Sequence, residues 1–148
     1  DARDQAALKR LALAGGEVWF KFDAGTADDI QRINGIDVDP RTHARRLALC
    51  MSLCPTWVQT CVFAWDGARP SQDQIGNYLA MLEYALQQAR KNDPSAGLKG
   101  VLLYGVARPS YQLEAVHLQR LTPEELDAIA SQIRDRLQGE GLTVTVSP

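Results

Sequence analysis

The spacing of apolar residues changes period along the chain, and each change marks an element boundary. Residues 1–14, DARDQAALKRLALA, put Leu8, Leu11 and Ala12 on one stripe of a helix that Gly15 and Gly16 end. The run EVWFKF, residues 17–22, mixes aromatic and β-branched side chains and predicts a strand. Thr26 followed by acidic residues predicts the N-cap of a helix in AGTADDIQRIN, which INGIDVDP interrupts. Pro40 suits the first position of the next helix, PRTHARRLALCMSLC. That helix stops before Pro55, because the residue before a proline avoids helical angles. TWVQTCVFAW, residues 56–65, predicts the second strand, and Asp66–Gly67 a turn.

Ser71 then caps a long helix, QDQIGNYLAMLEYALQQARKN, with Ile75, Leu79, Leu82 and Leu86 on one face. GVLLYGVA, residues 100–107, is an almost unbroken apolar run, the pattern of a strand covered on both faces. RPSYQLEAVHLQR has no period. Thr122-Pro-Glu-Glu125 is a capping box with proline at the first helical position, and its helix runs to about Gln138. GLTVTV closes the chain as a strand. The order is α-β-α-β-α-β-α-β. It predicts an α/β fold of alternating β/α units with a mainly parallel sheet and right-handed crossovers.

Composition narrows the class. A chain of 148 residues suits one α/β domain, residues 1–148, able to bury roughly 70% of its unfolded surface. Net charge is −2, and the densest basic cluster, RTHARR at 41–46, reads as the solvated start of a helix, so no nucleic-acid partner is expected. No apolar run is long enough to span a membrane and no signal-peptide pattern is present, so the expected compartment is the cytoplasm, where a stable disulfide is not expected. The first residue is Asp1 rather than Met, which suggests a processed chain or a piece of a longer one.

All three cysteines fall in LALCMSLCPTWVQTC, residues 47–61. Cys50 shares an apolar helical stripe with Leu47 and Leu53, Cys54 ends that helix, and Cys61 lies within a strand. A zinc site wants four ligands, and the histidines, His43 and His117, are distant in sequence. A CxxxCxxC triplet would need cysteine where Trp57 stands. Small buried hydrophobes are therefore the expected role of all three. His43 is expected on a solvated helix turn, His117 in a loop or at a strand end, and Asp28 and Asp29 at a helix start.

Strand parity groups the polar residues. In VWFKFD, Trp19, Lys21 and Asp23 share one face, and Val18, Phe20 and Phe22 the other. Helices cover the apolar face, so Lys21 and Asp23 should point to the opposite side. Trp57, Gln59 and Cys61 share a face, as do Leu102, Tyr104, Val106 and Arg108. Asp23, Gln59 and Arg108 gather toward the C-terminal halves of their strands, the end where parallel α/β sheets hold ligands. Lys21 or Arg108 suits a carboxylate, and Asp23 an ammonium or hydroxyl. A Lys21–Asp23 ion pair that only fills a barrel interior is the competing reading.

Three segments, EVWFKFDAGTADDIQRIN, VQTCVFAWDG and GLKGVLLYGVARPSYQLEAVHLQRLTPEELDAIASQI, together resemble the second half of a radical S-adenosylmethionine (radical SAM) core domain. The resemblance implies the fourth to sixth strands of a (β/α)6 partial TIM barrel plus a terminal strand. It implies a longer parent enzyme whose CxxxCxxC loop, upstream of Asp1, holds a [4Fe–4S] cluster that binds SAM. It also implies that polar residues on the fourth strand, here Lys21 and Asp23, contact the cofactor's ribose or carboxylate; with Gln59 and Arg108, grouped with them by strand parity, they are the candidate cofactor-binding residues. CMSLC falls at the wrong place in that fold to serve as the cluster loop.

The function so implied is a C-terminal portion of a radical SAM enzyme, inactive alone, contributing to the SAM- and substrate-binding wall. The parent would cleave SAM reductively to a 5′-deoxyadenosyl radical that abstracts hydrogen from a substrate. No cofactor is expected on this chain by itself. The alternative is a non-catalytic α/β module that binds a small anionic ligand or a protein partner. Loss of a neighbour would leave strand 17–22 as an open edge, so self-association there, or cover from helix 1–14, is also expected.

Overall fold

The computed structural model describes residues 1–106 and 113–147. Four strands, β1 (Val18–Lys21), β2 (Thr56–Cys61), β4 (Gly100–Tyr104) and β6 (Thr143–Ser147), form a sheet in the order β1-β2-β4-β6, every pair parallel. The helices between them are α1 (Ala2–Leu13), α2 (Ala27–Asn34), α3 (Pro40–Leu53), α4 (Gln72–Asn92) and α5 (Pro123–Arg136). The expected α/β architecture of alternating units on a parallel sheet is the observed one. Thr26, Ser71 and Thr122 each cap a helix through the side chain, the last two as full capping boxes, so local sequence sets those starts. Among the described residues no helix is long and apolar enough to cross a membrane.

Strand parity divides the sheet into two unlike faces. Phe20, Val58, Val101, Leu103, Val144 and Val146 belong to one core with the buried faces of α3, α4 and α5, including Leu47, Leu82, Leu86, Leu126 and Ile133. Burying these side chains supplies most of the favourable free energy, about 1.5–3 kcal/mol for each fully covered Leu, Ile, Val or Phe. The register aligns the residues of the other face in rows: Trp19, Trp57, Gly100, Thr143, and above them Lys21, Gln59, Leu102, Thr145. That face carries no helix layer of this core.

Several expectations change. Strand 56–65 breaks after Cys61. Ala64–Trp65 forms β3, which pairs antiparallel with β5 (Leu118–Gln119) in a separate two-stranded sheet. The expected turn is there: Asp66 and Gly67 both have positive φ, and Trp65 and Ala68 exchange backbone hydrogen bonds across it. The run 100–107 is a strand only to Tyr104. It is covered on one face alone, with Leu102 and Tyr104 half-buried on the open side. Apolar residues on both sides of a strand do not require two covering layers when the second face is only partly shielded. Helix α1 buries none of its residues and makes its main contact with α3.

His43 is also corrected. It stacks on Phe22, with ring centroids 5.1 Å apart and planes 6° from parallel, and its Nε2 donates to the Lys21 carbonyl at 3.0 Å. Helix α3 carries it across the end of β1, which half-buries it. Val18 and Phe22 donate across to Pro55 and Gln59, so the alternate N–H groups of Trp19 and Lys21 face the outer edge of the sheet. His43 occupies the last carbonyl of that edge, and Trp19, 63% exposed, stands beside the rest of it.

This edge generates two predictions. The protein should self-associate through β1, antiparallel across a two-fold axis. In sedimentation, the wild type should run as a dimer and Trp19→Lys as a monomer; a wild type that stays monomeric at every concentration shows that the edge is tolerated. The second concerns pH. Burial, with a smaller push from the Arg46 charge, holds the His43 pKa below its ordinary value against the opposing pull of the Lys21 carbonyl and Asp23. The neutral ring is thus favoured in the fold. Its contribution is complete above the unfolded pKa of about 6.5 and is lost as pH falls through the lower folded value. The stability gap between wild type and His43→Gln in urea should narrow as the medium is acidified; a gap independent of pH would contradict this.

Candidate functional site

The upper, C-terminal end of the open face is polar. Asp23 follows β1, and its carboxylate is wholly out of solvent. One oxygen accepts from the Cys61 backbone N–H at 2.7 Å and lies 3.0 Å from Lys21 Nζ, while the other accepts from Asn34 Nδ2 at 2.7 Å. Just below, Phe22 N–H donates to the Gln59 carbonyl and Thr60 Oγ1 donates to the Phe22 carbonyl. The Asp23 side chain therefore takes the N–H that the next backbone carbonyl of a longer β1 would have taken, and it ends the β1–β2 ladder. Gly25 lets this segment rest on α4, since a Cβ there would lie 2.1 Å from the Asn77 carbonyl oxygen.

Lys21 reaches sideways across β2. Its Nζ donates to Tyr104 Oη at 2.6 Å and lies 4.9 Å from the centre of the Tyr104 ring. Burial opposes its charge, but the Asp23 carboxylate and the Tyr104 hydrogen bond outweigh burial, and the pKa is held above its ordinary value. With its side chain 45% exposed, Lys21 remains a reachable cation. Gln59 lies between Lys21 and Leu102 in the register, half-buried. Cys61 is next to Tyr104, and burial pushes its thiol up to about 11, so it stays protonated at neutral pH. Burial also raises Cys50 and Cys54, and only Cys54 is fully buried.

The lower end is closed. Trp57 Nε1 donates to Glu17 at 2.8 Å, Lys99 pairs with Glu17, and the Lys99 ammonium lies 5.7 Å from the centre of the Trp57 ring. The indole occupies the space above Gly100, where a Cβ would come within 2.4 Å of it. An aromatic floor under a polar upper rim gives the open face a direction, with the ligand-accessible groups at the C-terminal strand ends.

Three of the four sequence-selected residues, Lys21, Asp23 and Gln59, thus gather at that rim, and Arg108 lies outside the described residues. Tyr104 and Asn34 escaped selection. Tyr104 shares parity with Arg108, a signal present in the sequence, whereas nothing local marks Asn34, at the end of α2, as a partner for Asp23. His117, at the end of a short 3₁₀ turn, stacks on Trp65 and pairs with Asp66 at 2.7 Å. Asp29 bonds the Thr26 hydroxyl, Arg32 and Gln74. Among the described residues, no three side chains of His, Cys, Asp and Glu gather as a metal-ligand group.

No family model matches the chain, and no curated protein does. Its fold is similar to the crystal structure of a radical SAM methyltransferase from Sphaerobacter thermophilus, with a TM-score of 0.55 and 15% identity. The match covers 97% of this chain and 37% of that protein. At this identity the likeness is one of fold: parallel β/α units as in part of a TIM-type barrel.

The wiring of Asp23 predicts unequal costs. Asp23→Ala strips the acceptor from Asn34 and the Cys61 N–H and should cost about 3 kcal/mol. Lys21→Met leaves Asp23 two donors and should cost about 1–2 kcal/mol. Urea denaturation of both variants tests the order; equal losses would mean that Asp23 holds little besides Lys21.

Proposed function

We propose that this chain is the C-terminal part of a radical SAM domain, whose open sheet face forms part of the wall against which SAM and substrate sit, and that it is inactive alone. The observation that carries this reading is the half-exposed Lys21 ammonium, held at the C-terminal rim of a helix-free face by Asp23 and Tyr104. The likeness in fold to a radical SAM methyltransferase supports it, and the chain spans only 37% of that protein.

The donor set suits part of SAM. A reachable ammonium at Lys21 and the amide of Gln59 fit a carboxylate or ribose hydroxyls, and Arg108 is a third candidate by its parity with Tyr104. Asp23, buried and already accepting three donors, acts by orienting Lys21 rather than by contact. SAM, when bound, supplies the radical chemistry, and this chain's residues bind and orient. The described cysteines do not fit a [4Fe–4S] cluster: Cys61 is a protonated thiol on a strand, while Cys50 and Cys54 belong to α3 and its end.

Amide shifts on titration with S-adenosylhomocysteine test the reading. Lys21, Gln59 and Tyr104 should move, Trp19 should not, and Lys21→Met should weaken binding about tenfold. Absence of those shifts would overturn the proposal. Equal shifts with sulfate, and none with adenosine, would favour the small-anion module instead, for which the half-exposed Lys21 ammonium is the supporting feature.

A further inference from the structure

A second concavity lies on the helix side of the sheet, reached from the C-terminal strand ends. Its volume is about 200 Å³. Thr60 and Leu103 line it from the sheet, Ile75 and Tyr78 from α4, and Ile129 and Ile133 from α5. Thr60 and Leu103 have the parity of Val58 and Val101, so the cleft lies on the helix side of the sheet, opposite Lys21 and Gln59, and it meets the rim of the open face at Asp23 and Cys61, which also line it.

Its polar groups are nearly all engaged within the fold. At the mouth, Arg32 pairs with Asp29 at 2.7 Å and Arg69 with Glu125 at 2.8 Å, so among the described residues the charges that line the cleft are paired. Gln74 donates to Asp29 and accepts from the Ser71 N–H. Inside, Thr60 Oγ1 is 2.8 Å from the Phe22 carbonyl and 2.8 Å from Tyr78 Oη. A carbonyl only accepts, so the one Thr60 proton goes to Phe22. Tyr78 must then donate its own proton to Thr60. That leaves the Tyr78 oxygen with acceptor capacity, on a phenol that burial keeps protonated.

We propose that this cleft is a binding site for a small uncharged apolar molecule, of roughly benzene to indole size, that carries one hydroxyl or N–H donor directed at Tyr78 Oη. The size follows from volume, since an apolar cavity of about 150 Å³ is known to accept benzene. Neutrality follows from the pairing of the described charges along the cleft, Asp23 with Lys21 included, and the single donor from the proton inventory around Thr60.

Three probes of similar size separate these elements: toluene has no oxygen, anisole has an oxygen without a proton, and phenol has both. Binding is read from the methyl resonances of Leu103, Ile129 and Ile133 and from Trp65 fluorescence. Phenol should bind the wild type about fivefold more tightly than anisole, the equivalent of one ordinary hydrogen bond. Tyr78→Phe should remove that advantage and leave toluene within about twofold of its wild-type affinity. Ile129→Phe, which fills the cleft, should abolish binding of all three. Equal binding of phenol and anisole to the wild type would overturn the donor assignment without recourse to any variant. Failure of all three probes to perturb these methyl groups would overturn the site itself.

Discussion

The buried carboxylate of Asp23 is the constraint on which the C-terminal end of this molecule depends. A charge removed from water must be met by donors, and here they come from three elements: the Cys61 N–H of β2, the Asn34 amide of α2 and the Lys21 ammonium of β1. One side chain thus ends the β1–β2 ladder, anchors the return of α2 and aims Lys21 across the sheet at Tyr104. Each of those consequences follows from the need to satisfy the same two oxygens.

The second organising feature is the asymmetry of the sheet. Parallel crossovers place α3, α4 and α5 against one face, and the apolar residues of that parity form a single core with them. The other parity is left with aromatic residues at its lower end and polar ones at its upper end. A sheet built this way has a floor and a rim before any ligand is considered. At its edge His43 closes the last carbonyl alone, that of Lys21, while stacking on Phe22.

Behind the sheet, hydroxyl chemistry produces a different environment. Thr60 is a polar residue in an otherwise apolar row. It is tolerated because Phe22 and Tyr78 satisfy it. The resulting chain of donors runs from Tyr78 through Thr60 to a backbone carbonyl. It has a fixed direction because only its last member lacks a proton to give.

The alternation of helices and strands, the parallel sheet, the side-chain caps at Thr26, Ser71 and Thr122 and the face shared by Lys21, Gln59 and Tyr104 were legible in the sequence, because each rests on a local period or on residues a few positions apart. The same locality explains the errors. The break after Cys61, the β3–β5 pairing, the partial burial of His43 and the Asn34–Asp23 bond depend on segments far apart in the chain that meet only after packing. A histidine among arginines looks solvated until α3 is laid across β1, and an apolar strand looks doubly covered until one face is found to lack a helix layer. The sequence by itself determined which residues could share a face. Tertiary structure decided which of them are reachable, because burial and hydrogen-bond satisfaction are properties of neighbours that local sequence does not specify.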